Sequence, residues 1–198
     1  MASSQPAQAI AYFDEITFYL TSGTFSPGDS VSTTFTFGAK PGVDLSAFEF
    51  ELSWDNALAT PFASGPGSVA AWAAALATKG SVSVDYSGAQ LIKGQWTADP
   101  LGGVGSLIST DYSNPVKAVF SFEASPTLNI PFVVRIELTN IKNAAGELMD
   151  TGSGFYNFGT LSPVPEPGIW LSMAGGLAAI AALRRPRRSS GNVAQRLG

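Results

Sequence analysis

A clear β-strand pattern lies in residues 47–54, which read Ala47-Phe48-Glu49-Phe50-Glu51-Leu52-Ser53-Trp54. Large apolar side chains occupy the even positions, whereas Glu49, Glu51 and Ser53 occupy odd ones. Because successive side chains of a strand point to opposite faces, this alternation predicts a strand with one buried face and one solvated face. Its parity places Trp54 on the buried face.

The same alternation recurs along the chain, in residues 16–20, 31–37, 82–86, 118–122 and 132–138. Turn sequences such as Ser26-Pro27-Gly28-Asp29 separate these runs. Several short strands with one apolar face each must bury those faces against one another, so residues 10–161 are expected to form an all-β sandwich. Residues 69–77 differ, because their alanine-rich sequence predicts a short helix with Trp72 and Leu76 on one side.

Composition excludes several classes of function. The 198 residues include no cysteine and no histidine, which removes thiol chemistry and any catalytic triad based on histidine. Residues 1–163 carry 14 acidic and 6 basic side chains, a net charge of −8. Such a domain repels nucleic acid phosphates, so no nucleic acid partner is expected.

Short motifs in residues 14–150 add a resemblance to a known family. In order, they are Gly28-Asp29-Ser30-Val31, the strand ending in Ser53-Trp54-Asp55, Val119-Phe120-Ser121-Phe122-Glu123-Ala124, Leu138-Thr139-Asn140-Ile141 and Asn143-Ala144-Ala145-Gly146-Glu147-Leu148. This order resembles the cohesin family and its carbohydrate-binding-module relatives. The resemblance implies a jelly-roll β-sandwich of about nine strands, whose sheet face or loops bind a partner such as a dockerin-like protein.

The C-terminal region has the three parts of a membrane signal. Val164-Pro165-Glu166-Pro167 closes a proline-rich linker over 162–167, and residues 168–183 carry no charge. These 16 residues would span about 24 Å as a helix, slightly less than a bilayer core of roughly 30 Å. A basic stop follows at Arg184, Arg185, Arg187 and Arg188. We therefore predict a transmembrane helix over 168–183 and a cytoplasmic tail over 184–198, with the preceding domain outside.

The same segment resembles the PEP-CTERM sorting signal of Gram-negative bacteria. That resemblance implies export, insertion into the inner membrane and cleavage by an exosortase near Pro165-Glu166-Pro167. The protein would then work in the cell envelope or the extracellular matrix. An anchor that is never cleaved is the alternative.

Residues 1–9 lack the basic and apolar regions of a secretion signal, although Ala7-Gln8-Ala9 has the form of its cleavage site. These residues are expected to be a remnant of an export signal or disordered, with the leader itself missing from this chain. A chance occurrence of Ala-Gln-Ala in an alanine-rich chain is the alternative.

Four side chains are candidates to face a ligand. Glu49 and Glu51 are two residues apart on the solvated face, so they could act together on a glycosidic bond or simply form the polar side of the strand. Trp72 and Trp96 could stack on sugars or pack in the core. The aspartates near turns lack the spacing of a calcium loop, so no metal site is expected. No catalytic residue and no cofactor are expected either.

These observations support a non-enzymatic binding or structural module, tethered or released through its sorting signal. Its partner is expected to be a protein; the alternative is a polysaccharide of the extracellular matrix. A glycoside hydrolase ranks last.

Overall fold

The computed structural model describes residues 11–12, 16–39, 41–109, 115–149 and 155–164, together with Leu177 and Ile180. The chain divides into two compact units, Met1–Val164 and Pro165–Gly198. In its described part, the first unit contains two β-sheets and one apolar core.

The described elements follow one another in the order β1 (Ala11–Tyr12), β2 (Ile16–Leu20), β3 (Gly23–Phe25), β4 (Ser30–Ala39), β5 (Asp44–Trp54), β6 (Ala59–Pro61), α1 (Val69–Ala77), β7 (Gly80–Gly88), β8 (Leu91–Ala98), a 3₁₀ turn (Gly103–Ser106), β9 (Ile108–Ser109), β10 (Val116–Ala124), β11 (Phe132–Asn143) and β12 (Phe155–Pro163). One sheet has the order β1-β2-β4-β10-β6. The other has the order β3-β12-β11-β5-β8-β7, and β9 also pairs with β5. The β-sandwich predicted from the alternation is confirmed.

The core lies where the parity of residues 47–54 predicts it, with Trp54 only partly buried against it. Phe48, Phe50 and Leu52 are at most 1 % exposed. They belong to the same buried cluster as side chains of the five-stranded sheet, including Phe35, Phe37, Phe120 and Phe122. Burying each of these side chains stabilises the fold by about 1.5–3 kcal/mol relative to leaving it exposed, so this shared core holds the two sheets together.

Helix α1 forms over residues 69–77, as the sequence predicts, and its tryptophan packs against this core. Ser68 caps the helix, because its side-chain oxygen accepts a hydrogen bond from the backbone N–H of Ala71 at 3.0 Å. The Trp72 ring lies 4.7 Å from the Phe50 ring and 5.6 Å from the Phe120 ring, between centroids. Because Phe50 and Phe120 come from different sheets, Trp72 joins the sheets through aromatic contacts.

The number of strands differs from the expected nine or so. Twelve strands are present among the described residues, and four of them have only two or three residues: β1, β3, β6 and β9. Two longer strands, β8 and β12, were not predicted. In β8, Gly94 interrupts the apolar side of the alternation, and the ring of Phe50 fills the space that a side chain there would occupy. In β12, the buried Gly159 has the same effect on the pattern.

Strand β12 continues beyond the boundary expected at residue 161. It pairs in parallel with β3 through Pro163, and the backbone N–H of Val164 donates to the Phe25 carbonyl oxygen at 2.8 Å. Apart from Leu177 and Ile180, which are helical and exposed, the predicted 168–183 helix lies outside the described residues. In the described part of the chain, no helix has the length and apolar character needed to span a bilayer.

Candidate functional site

The outward side chains of the seven-stranded sheet stand in rows that cross its strands. The register places Glu51 of β5 opposite Lys93 of β8 on one side and opposite Glu137 of β11 on the other. Asp85 of β7 then lies opposite Lys93. Because paired residues point to the same face and strands lie about 4.8 Å apart, these four residues form one charged row.

Lys93 is the cation of the charged row. Its Nζ donates a hydrogen bond to Glu51 Oε1, and this bond is the main cause of a raised pKa of Lys93. The nearby carboxylates of Asp85 and Glu137 raise that pKa further. Lys93 therefore stays protonated at neutral pH, and its single positive charge lies near the carboxylates of Glu51, Asp85 and Glu137.

A second, polar row lies beside the charged one and contains Thr139, Glu49, Gln95 and Ser83 in register. The two rows border a shallow depression of about 290 Å³. We call these eight outward residues the acidic face: Glu49, Glu51, Ser83, Asp85, Lys93, Gln95, Glu137 and Thr139. Its four carboxylates outnumber its single ammonium group, so it attracts basic groups.

The arrangement of the carboxyl groups on the acidic face differs from that of a glycosidase. Glycosidases place two carboxyl groups on opposite sides of the scissile bond. Here Glu49 and Glu51 point the same way from one strand, and Glu51 is engaged by Lys93. The described residues also contain no group of three or more Asp, Glu, His or Cys side chains that could hold a metal ion.

Of the two roles that the sequence left open for Trp72 and Trp96, the structure shows core packing, so the ligand-facing assignment is wrong. Trp72 is 7 % exposed and Trp96 is fully buried. The indole N–H of Trp96 donates to the Leu76 carbonyl oxygen at 3.2 Å, so its polar atom is satisfied inside the core. Both rings pack against Phe48, with centroids 6.1 Å away for Trp72 and 5.4 Å for Trp96. Glu49 and Glu51, in contrast, lie on the outward side as the alternation predicts.

Two exposed aromatic residues were missed. Tyr86 of β7 is 52 % exposed, and Phe158 of β12 is 47 % exposed. Phe158 stands opposite Arg135 of β11, and Arg135 is two residues before Glu137 on the same face, so Phe158 lies beside the charged row. Parity assigns Tyr86 to the apolar face, and only its place near the end of an edge strand explains its exposure. Phe158 could have been found only by first recognising β12.

The sorting residues lie at the end of the described domain or beyond it. Val164 follows β12 directly and is 41 % exposed. Pro165, Glu166 and Pro167, and the arginines at 184, 185, 187 and 188, lie outside the described residues.

Comparison with known proteins finds structures of similar fold, but the sequence comparisons identify no family. A scan against protein-family models matches none of them, and a search among curated proteins finds no match. The fold of the described domain is instead similar to that of solved cohesin modules. At the identities found, this similarity concerns the fold alone.

Three of these structures show the range of the similarity. A type I cohesin–dockerin complex from Clostridium thermocellum aligns with a TM-score of 0.54 and 13 % identity, covering 76 % of this chain and 100 % of that one. A type III cohesin module from a cell-surface anchoring scaffoldin of Ruminococcus flavefaciens gives a TM-score of 0.52 and 9 % identity, covering 76 % and 88 %. A non-cellulosomal cohesin from the archaeon Archaeoglobus fulgidus gives 0.50 and 14 %, covering 80 % and 97 %.

Proposed function

We propose that this protein is a non-enzymatic module that binds another protein through its acidic face. The observation that carries the proposal is the charged row of Glu137, Glu51, Lys93 and Asp85 on an open sheet of cohesin fold. A type I cohesin of that fold was solved in complex with a dockerin, which supports a dockerin-like protein as the partner.

The charges of this face define the partner's surface. Four carboxylates and one lysine are complementary to a protein surface rich in Lys and Arg, and such complementarity accelerates association and fixes register. The depression is shallow and open, and polar side chains line it together with Phe50 and Gly94, whereas small-molecule sites enclose most of their ligand. A flat or helical basic surface therefore suits this face better than a small ligand does.

Photo-crosslinking in native cells tests this proposal. A photoreactive residue at Gln95, in the acidic face, is compared with one at Val119, which is 44 % exposed and lies on the other sheet. We expect a crosslinked protein from position 95 only, with its yield lowered by Glu49→Lys. Equal yields at both positions, or a yield that Glu49→Lys leaves unchanged, would refute binding through this face.

Polysaccharide binding is the second candidate, and the buried tryptophans weaken it. The exposed rings of Tyr86 and Phe158 are the observation in its favour, because sugars stack on solvent-facing aromatic rings. Loss of polysaccharide retention on Phe158→Ala, with no crosslinked protein at position 95, would favour this alternative.

We further propose that the C-terminal residues act as a PEP-CTERM signal processed by an exosortase. The domain would be exported to the envelope or the extracellular matrix. The residues Pro165-Glu166-Pro167, the apolar run and the arginines support this assignment. Intact mass of the protein from native cells tests it, since Glu166→Ala should preserve the full-length tail. A mature mass that this substitution does not change would remove the sorting proposal.

A further inference from the structure

The four sheet edges of the described domain differ sharply in length. Strands β1, β3 and β6 close three of them with only two or three residues each. The fourth edge is β7, which has nine residues. Among the described residues, no strand pairs with the outward side of β7. Short edge strands limit edge-to-edge association. Although β6 and β3 each pair with only three residues of the neighbouring strand, β7 is the longest terminal strand of the two sheets among the described residues.

The sequence of β7 also lacks other protective features. It reads Gly-Ser-Val-Ser-Val-Asp-Tyr-Ser-Gly, with no proline, no lysine and Asp85 as its single charge. Its pairing with β8 is regular from Gly80 to Asp85, and the irregularity begins only after Asp85. Val82 and Val84 are half-buried, so part of their apolar surface stays open at the edge. This segment can accept another strand.

Helix α1 gives a second, independent indication on the same side of the molecule. It packs against β7, and none of its nine residues is polar. Four of the nine are exposed, and all four are alanines: Ala71, Ala74, Ala75 and Ala77. A surface helix normally carries polar residues on its outer side, and a helix that is apolar all round is normally buried. The outer side of α1 therefore has the composition of a covered surface.

We propose that the β7 edge pairs antiparallel with the β7 edge of a second copy of this chain. An antiparallel pair of identical strands has a two-fold axis, the symmetry of most homodimers. With the axis at Val84, Ser83 faces Asp85 of the second copy, and Val82 faces Tyr86 of the second copy. The single charge of β7 then meets a hydroxyl donor instead of a like charge, which makes the strand complementary to itself.

The joined sheet has a consequence for the acidic face. A two-fold axis perpendicular to the sheet keeps the outward faces of both copies on the same side, and both α1 helices on the other. The dimer would present two acidic faces side by side. A partner with two basic surfaces would gain affinity from binding both at once.

Charge substitutions at Ser83 test this pairing. In the proposed register, each position 83 faces Asp85 of the other copy, so a dimer contains two such pairs. Ser83→Lys makes both of them opposite-charge pairs, and Ser83→Glu makes both of them like-charge pairs. Exposed pairs of this kind change an equilibrium constant by about 2- to 5-fold each, so we expect dimerisation tighter by about 4- to 25-fold for lysine and weaker by a similar factor for glutamate. The matched controls are Gln95→Lys and Gln95→Glu, opposite Ser83 but one strand away from the edge.

The measurement is sedimentation velocity of the full chain in a non-ionic detergent, which suppresses association through the apolar C-terminal residues. Opposite effects of the two Ser83 variants, with the Gln95 controls near wild type, would support the pairing. Hydrogen exchange adds a local readout, since β7 amides should become protected as the protein is concentrated. A chain that stays monomeric, equal effects at positions 83 and 95, or dimers with unprotected β7 amides would overturn the proposal.

Discussion

The inner and outer faces of β5 come from the same eleven residues, yet their surroundings differ completely. On the inner face, Phe48 and Phe50 contact aromatic rings of the helix, of β8 and of the opposite sheet. On the outer face, the described residues that pair with Glu49 and Glu51 all belong to the same sheet. The inner side chains are therefore fixed by packing from several directions, whereas the outer ones remain accessible to solvent.

This difference predicts the largest effect for a substitution at the centre of the inner face. Trp72→Ala removes a ring that contacts Phe35, Phe48, Phe50 and Phe120, and it leaves a cavity between the sheets. We expect the free energy of unfolding to fall by about 3–5 kcal/mol, measured by urea denaturation. Gln95→Ala on the outer face should change it by no more than about 0.5 kcal/mol. Similar losses for both variants would mean that the two faces do not differ as described.

A smaller effect is expected at Gly94 on the inner face of β8, where the ring of Phe50 fills the space that a side chain would occupy. A Cβ atom at Gly94 would lie 2.3 Å from Cζ of Phe50, and Phe50 cannot move away without disturbing Trp72. Gly94→Ala should therefore lower the free energy of unfolding by about 1–3 kcal/mol. Gly105→Ala is the control, because no atom lies within 4 Å of a Cβ atom built there. A Gly94→Ala protein as stable as wild type would show that the Phe50 ring has room to move.

The inner face could be predicted from sequence, because burial of one face of a strand makes apolar residues alternate with polar ones along it. Phe48, Phe50 and Leu52 needed no knowledge of their neighbours, and the helix over Val69–Ala77 was recognisable from its own composition. β8 and β12 escaped prediction because glycines stand at core positions of both strands, where another residue supplies the packing. A pattern within one strand contains no signal for such a neighbour.

The acidic face was only half predictable for the same reason. Alternation placed Glu49 and Glu51 on the solvated side, but it could not show that Lys93 lies opposite Glu51 or that Asp85 lies opposite Lys93. Those contacts depend on register between strands far apart in sequence. The tryptophans show the converse, because residue type left sugar stacking and core packing both open, and the fold shows that both rings are enclosed.

The smallest effect is expected on the outer face, from the titration of Asp85. A hydrogen bond from the Ser87 side chain is the main cause of a lowered pKa of Asp85, followed by the bond from the Ser87 backbone N–H at 2.8 Å and by the charge of Lys93. A carboxyl group whose pKa is lowered by folding stabilises the fold above its unfolded pKa of about 3.9 and loses that contribution as the pH falls through its folded pKa. Asp85→Ala should therefore reduce the free energy of unfolding slightly at neutral pH, and this difference should disappear in acid.

Urea denaturation between about pH 7 and about pH 3 measures this difference between Asp85→Ala and wild type, and Ser83→Ala should show no such convergence. A difference that is the same at both ends of this range would show that Asp85 acts through packing, and the outer face would then resemble the inner one at this position.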